Sequence, residues 1–186
     1  DCAGDPEYYF SAEGSISGIV YCPGGAPTTV LTTKVGEVVT AISDNFQNDL
    51  GWTTENLGAT SGLWERGVPV NDPNWVHDPM SDSDGSGMCY LTQNGLGNTD
   101  VDAGAVRLTS PLLDMSPGNI TIRYDYYLRL NNTTGAVDRL LVEINDGGAA
   151  WIEIARHTTD GWVNWRHYVI DQAALYRALA AGTIAY

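Results

Sequence analysis

Apolar and polar positions alternate strictly along residues 119–130. Ile120, Ile122, Tyr124, Tyr126, Leu128 and Leu130 fall on one face; Thr121, Arg123, Asp125, Tyr127 and Arg129 fall on the other. A period of two belongs to a β-strand with one face in a core and one face in water. Shorter runs of the same kind predict strands over 51–55, 62–66, 88–92, 105–109, 137–144, 150–155 and 162–170. Asn145-Asp146-Gly147-Gly148 lies between two of them. These residues tolerate positive φ, so the segment predicts a tight hairpin. Residues 171–179 form the one helical-looking stretch, with Asp171 as its N-cap. Between the strands, residues 67–88 make a long loop rich in Pro, Asp, Ser and Gly, and loops of that length are usually functional or disordered.

The first forty residues read differently. Tyr8-Tyr9-Phe10, Gly18-Ile19-Val20-Tyr21, Thr29-Val30-Leu31 and Val38-Val39 are short β-like runs, broken by Pro-Gly-Gly-Ala-Pro at 23–27. They are too few to bury a core alone. Residues 1–40 are therefore expected to be the closing strands and linker of a preceding β-domain, or an N-terminal extension. The main domain is expected over 41–186. Ten tyrosines and six tryptophans against two phenylalanines, with many glycines and one lysine (Lys34), suit an all-β antiparallel sandwich with long surface loops.

Charge narrows the partners. The chain carries 23 Asp+Glu against 9 Lys+Arg, a formal net charge of −14. Nucleic-acid binding draws on clustered Lys and Arg, so nucleic acid is excluded as an expected partner. An anionic membrane surface is disfavoured for the same reason. No run approaches the ~20 apolar residues of a membrane helix, so no membrane insertion is expected. There are three cysteines. Pairing of 7–12 with 17–21 as a hairpin would bring Cys2 near Cys22, and a disulfide there would fit an oxidising, extracellular setting. Cys89 then reads as a small buried hydrophobe.

The acidity is concentrated in Ser81-Asp82-Ser83-Asp84-Gly85-Ser86-Gly87, followed by Asp100-Val101-Asp102. Hard cations such as Ca²⁺ take several oxygen ligands from a flexible loop. On an EF-hand template Asp82, Asp84 and Ser86 hold the first, third and fifth places and Gly87 the sixth. The twelfth is Gln93 rather than Glu, and 88–92 reads as strand, so this is no EF-hand. A Ca²⁺ loop in a β-protein remains, with Asp82, Asp84, Asp100 and Asp102 as candidate ligands and Asp44 as a weaker one. The same residues also form turns without any metal.

Other chemistry has less behind it. His77, His157 and His167 lack zinc-site spacing, and His157 and His167 read as strand-surface residues. No GxSxG elbow is present. Facing carboxylates are inevitable among 23 acids, so no catalytic pair is assigned. Trp75 in the long loop, and Tyr127 beside Arg123 and Arg129 on the wet face of its strand, are the candidate ligand-binding residues, with ordinary packing as their plainer explanation.

Taken in order, several motifs resemble one family. They are Asp44-Asn45-Phe46 with Leu50-Gly51-Trp52; Gly62-Leu63-Trp64-Glu65-Arg66-Gly67-Val68-Pro69; the Asp82–Thr92 segment; Asp100-Val101-Asp102; and Leu108-Thr109-Ser110-Pro111. Together they look like the MAM-like, cleaved-adhesin-type jelly-roll domains of secreted bacterial proteins, which often lie C-terminal to extracellular peptidases. The resemblance covers roughly residues 41–170. It implies an antiparallel jelly roll, often with Ca²⁺ in a loop, acting as a binding or accessory module for a glycan, surface or protein. It also implies secretion or display at the cell surface. Such domains usually close with a further strand, and its absence before Tyr186 would leave an edge open to strand exchange with another chain. The alternatives are a fragment of a secreted peptidase whose catalytic domain lies elsewhere, and a structural subunit of an extracellular assembly.

Overall fold

The computed structural model describes residues 7–16, 18–33, 39–115, 120–130, 138–145, 147–148, 150–175 and 177. The chain divides into two compact units, Asp1–Thr40 and Ala41–Tyr186. Nearly all regular structure is antiparallel β.

In the first unit β1 (Glu7–Tyr8) pairs with β4 (Leu31–Thr32), and β2 (Phe10–Gly14) pairs with β3 (Gly18–Cys22). The β2–β3 hairpin runs from Phe10 opposite Cys22 to Gly14 opposite Gly18. Tyr8 packs edge-on to Phe10, and Tyr9 lies against Tyr21. Ala26 is the one buried apolar residue described in this unit, while Phe10, Ile19 and Val20 are exposed. Two-stranded pieces of this size cannot enclose a core.

The second unit holds β5 (Thr53–Leu57), β6 (Trp64–Gly67), β7 (Cys89–Thr92), β8 (Ala105–Thr109), β9 (Ile122–Tyr126), β10 (Leu140–Ile144), β11 (Ile152–His157) and β12 (Arg166–Ile170). They form four antiparallel pairs: β5 with β8, β6 with β7, β9 with β12, and β10 with β11. β6 also approaches β5 and β8. The β10–β11 hairpin turns at Asn145, whose side-chain amide donates to the Gly148 and Ala150 carbonyls at 3.0 and 2.7 Å. A bulge between Val142 and Glu143 shifts its register.

A core forms around Ala155, Ile170 and Leu175, with Ile120, Ile122, Tyr124, Val142 and Ile144 packed on it. Ile170 is 2% exposed, and burying such a side chain contributes about 1.5–3 kcal/mol. The helical turn at 172–175 closes this core. The Asp171 carboxylate accepts the Ala174 N–H at 2.7 Å, the N-cap bond expected of it. A second cluster gathers Phe46, Trp52 and Tyr90 in mutual edge and tilted contacts. Beside it, β7 buries Cys89 and Leu91. Burial, with the nearby Asp82 charge as a smaller cause, pushes the Cys89 thiol up to about 12. It stays protonated and unreactive, a small hydrophobe.

Two strands are shorter than their periodicity suggests. The alternation of half-buried and exposed residues holds from Ile120 to Tyr126 and then ends, because Tyr127–Leu130 are all half-buried. Beyond the ladder, the Leu128 carbonyl accepts the Gly161 N–H at 2.7 Å. The strand expected from residue 162 starts at Arg166, since Trp162 has φ 56° and belongs to a turn. His157 is also not a surface residue. It is 7% exposed, stacked on Tyr126 with ring centres 4.0 Å apart and hydrogen-bonded to the Tyr124 hydroxyl at 2.7 Å.

Candidate functional site

The acidic loop is ordered by its own short side chains. The Asp82 carboxylate is 6% exposed, and its Oδ2 accepts the Gly87 N–H at 2.8 Å and the Ser86 hydroxyl at 3.0 Å. Asp84 Oδ1 accepts the Ser86 N–H at 2.9 Å. The Ser86 hydroxyl and N–H, and then the adjoining Asp82 carboxyl, hold Asp84 below the usual carboxylate range. Both carboxylates thus accept from Ser86. Neither makes an ion pair among the described residues.

The segment 44–47 lies alongside. The Asn45 carbonyl is 3.5 Å from the Ser86 Oγ. The Gln47 amide, oriented to satisfy both of its groups, accepts the Met88 N–H at 2.7 Å and donates to the Ser86 carbonyl at 3.1 Å. Arg66 on β6 braces the pair of segments: its Nη1 donates to the Phe46 carbonyl at 3.0 Å and touches the Met88 sulfur at 3.3 Å. Asp44 itself is engaged on both oxygens, by the Phe46 N–H at 2.7 Å and the Trp52 indole N–H at 2.8 Å. That makes it a turn former and an anchor for Trp52.

Asp100 and Asp102 belong to another junction. The Ser61 hydroxyl donates to the Asp100 carbonyl at 3.0 Å and to Asp102 Oδ2 at 3.1 Å, and the Thr60 N–H donates to the Asp102 carbonyl at 2.9 Å. No group of three or more His, Cys, Asp or Glu side chains among the described residues is disposed to hold a metal. Around Ser86 the structure gathers the Asp82 and Asp84 carboxylates and the Asn45 carbonyl. Nothing in the sequence marks the Asn45 carbonyl for this cluster, because only the position of its loop brings a backbone carbonyl there.

The long loop is pinned as well. Asp72, 7% exposed, accepts N–H groups of Asn74 at 2.8 Å and Gly97 at 2.8 Å, and these backbone bonds hold its carboxyl below the usual range. Asp78 takes the hydroxyl of the buried Thr99 at 2.8–2.9 Å from its two oxygens. Burial outweighs that bond and pushes Asp78 up. The loop thereby lies against the end of β9, and three of the expected ligand-binding residues make contacts within the fold. Tyr127 is half-buried against Trp165, with its hydroxyl 3.5 Å from the Asp78 carbonyl. Trp75 sets its ring edge-on to His77 at 4.5 Å. Arg129 lies 3.8 Å from Asp160 and 3.5 Å from His77. Arg123 alone of the four stays exposed.

The histidines occupy three separate settings: His77 beside Trp75, His157 among tyrosines, and His167 with Asp125 at 2.8 Å across the β9–β12 pair. Cys22 is an exposed free cysteine at the end of β3, and Cys2 lies outside the described residues. No helix among the described residues is long and apolar enough to cross a membrane. No family model, no curated protein and no solved structure matches this chain.

Proposed function

We propose that the chain is a non-catalytic, secreted or surface-displayed binding module of a larger protein, built as a jelly roll and stabilised by Ca²⁺. Residues 1–40 are then the closing strands of a neighbouring β-domain. One observation carries the reading: Asp82 and Asp84 converge on Ser86, one accepting its hydroxyl at 3.0 Å and the other its N–H at 2.9 Å, with no ion-paired cation on either among the described residues. At neutral pH such a pair repels unless a proton or a cation lies between its members. The Ser86 hydroxyl and the Asn45 carbonyl complete an all-oxygen donor set, which suits a hard divalent ion. In this reading the ion joins loop 81–88 to loop 44–47 and stiffens the surface they share.

Thermal unfolding with and without chelator tests it. Bound ligand at a hundredfold excess over its Kd stabilises by roughly 2.7 kcal/mol, which for a chain of this length raises Tm by roughly 5–10 °C. Asp82→Asn with Asp84→Asn should remove the calcium-dependent part of the melting curve. A wild-type curve indifferent to Ca²⁺ and EDTA would refute the cation.

A further inference from the structure

Three Asp–Pro bonds stand in this chain: Asp5–Pro6, Asp72–Pro73 and Asp78–Pro79. The first lies outside the described residues. Such a bond carries its own reagent. The aspartyl carboxyl can close a five-membered ring on its own peptide carbonyl, and intramolecular attack of that kind is strongly favoured over attack from solution. The leaving nitrogen belongs to a tertiary amide and departs as a secondary amine once it takes up one proton. The way each carboxyl and carbonyl is held therefore decides which bond can react. At Asp72 all three oxygens are committed to N–H groups. Oδ1 accepts the Asn74 N–H at 2.8 Å, Oδ2 accepts the Gly97 N–H at 2.8 Å, and the carbonyl accepts the Trp75 N–H at 3.0 Å. The backbone bonds keep this carboxyl ionised and tethered, with no proton to give the leaving nitrogen.

Asp78 is held in another way. Both its carboxyl oxygens lie 2.8–2.9 Å from the one hydroxyl of Thr99, which is 1% exposed. That hydroxyl has a single proton to donate, and its lone pairs can accept from the second oxygen when the carboxyl is protonated. The Asp78 carbonyl, the acyl group of the bond to the buried Pro79, lies 3.5 Å from the Tyr127 hydroxyl. The charges nearby are His77, which favours the Asp78 carboxylate, and Asp72, which opposes it. Arg129 lies 3.5 Å from His77 and 3.8 Å from Asp160. Burial outweighs the Thr99, His77 and Trp75 interactions and raises Asp78. Burial also raises Tyr127, which stays a proton donor.

We propose that Asp78–Pro79 is a self-cleavage site, with the Asp78 carboxyl as nucleophile and the Tyr127 hydroxyl as donor to the carbonyl oxygen. A carboxyl oxygen bonds to the Asp78 carbonyl carbon, the bond from that carbon to the Pro79 nitrogen breaks, and the carboxyl proton passes to the nitrogen. A cyclic aspartyl anhydride and a free prolyl amine result. Water opens the anhydride, so the sum is one peptide bond and one water giving one carboxylic acid and one amine. The Tyr127 contact is long before reaction and tightens as charge builds on the carbonyl oxygen. The cut falls between β6 and β7, whose ladder from Trp64–Thr92 to Gly67–Cys89 keeps the two pieces together. A single cut of the chain's own backbone depends neither on the cation nor on the binding-module reading.

The test holds the full chain for days at about pH 5 and about pH 7.5, then denatures it and weighs the fragments by mass spectrometry. The expected fragments are 1–78 and 79–186, formed faster at the lower pH and roughly tenfold or more ahead of any cut at Asp72–Pro73. In urea, where the fold no longer distinguishes the two bonds, their rates should converge. Asp78→Asn should abolish the cut, and Tyr127→Phe should slow it roughly tenfold or more. The comparison of folded chain with urea needs no variant, so it decides the matter even where a substitution disturbs the fold. No fragment from the folded wild type, or equal rates at the two bonds, overturns the proposal. A cut that survives Asp78→Asn assigns it to a protease and overturns it too. Cleavage of Tyr127→Phe at the wild-type rate removes the donor and with it the site as drawn.

Discussion

The fate of a single side chain here depends on whether its partners donate to the charged form or only remove it from water. Asp72 and Asp78 belong to the same loop, yet backbone N–H groups lower one and burial raises the other. His157 follows the second course: desolvation, aided by the Arg166 charge, holds it below its ordinary 6.5. Tyr124, Tyr126 and Tyr168 surround its ring, and burial pushes the Tyr124 hydroxyl up, so that side stays uncharged through neutral pH. The unfolded chain therefore binds a proton at this histidine more readily than the folded one. Its contribution to stability is full above about pH 6.5 and is lost as pH falls from there toward the depressed folded value. Denaturant titrations at pH 7 and pH 5 should show lower stability at pH 5, and His157→Gln should remove part of that slope. An unchanged slope in the variant would assign the acid sensitivity to other groups.

At the level of elements, close backbone approach decides where the β5–β8 pair ends. Asn56 folds its side chain onto the Gly58 and Ala59 N–H groups at 2.9 and 2.7 Å, while Gly58 bridges to Ala105. A Cβ on Gly104 would overlap the Gly58 carbonyl carbon and the Ala59 nitrogen, both backbone atoms that cannot swing aside. Gly104→Ala should therefore destabilise by about 1–3 kcal/mol or more, read as an earlier unfolding midpoint with an unchanged slope. β8 also reaches beyond its partner. Arg107 lies 3.2 Å from Glu55 and 3.8 Å from Glu143, with its guanidinium 4.5 Å above the Trp151 ring, and so links β5–β8 to the β10–β11 hairpin. The strand positions themselves were readable from alternation, and residues 105–109 form a strand over the predicted span. The ends were not. Residues 127–130 continue the alternating pattern but leave the ladder, because the long loop and the 160–165 turn supply their partners instead.

For the molecule as a whole, acidity and order are in tension. A net charge of −14 repels itself in the compact state. Raising NaCl from ~0.01 to ~0.15 M should raise Tm gradually by screening. Ca²⁺ added at matched ionic strength should give a further rise that Mg²⁺ does not match; equal effects of the two ions would mean that charge density alone is being screened. The sequence by itself determined the all-β antiparallel character, the asparagine hairpin and the Asp171 cap, because periodicity and turn chemistry are properties of neighbouring residues. Tertiary structure alone decided which acids meet. It placed Asp100 and Asp102 with Ser61 and left Asp82 and Asp84 beside Asn45 and Ser86. It also buried His157, half-buried Tyr127 against Trp165 and left Trp162 in water. Those outcomes depend on which loops fold back on which strands, and one strand's alternation carries no information about what will cover it.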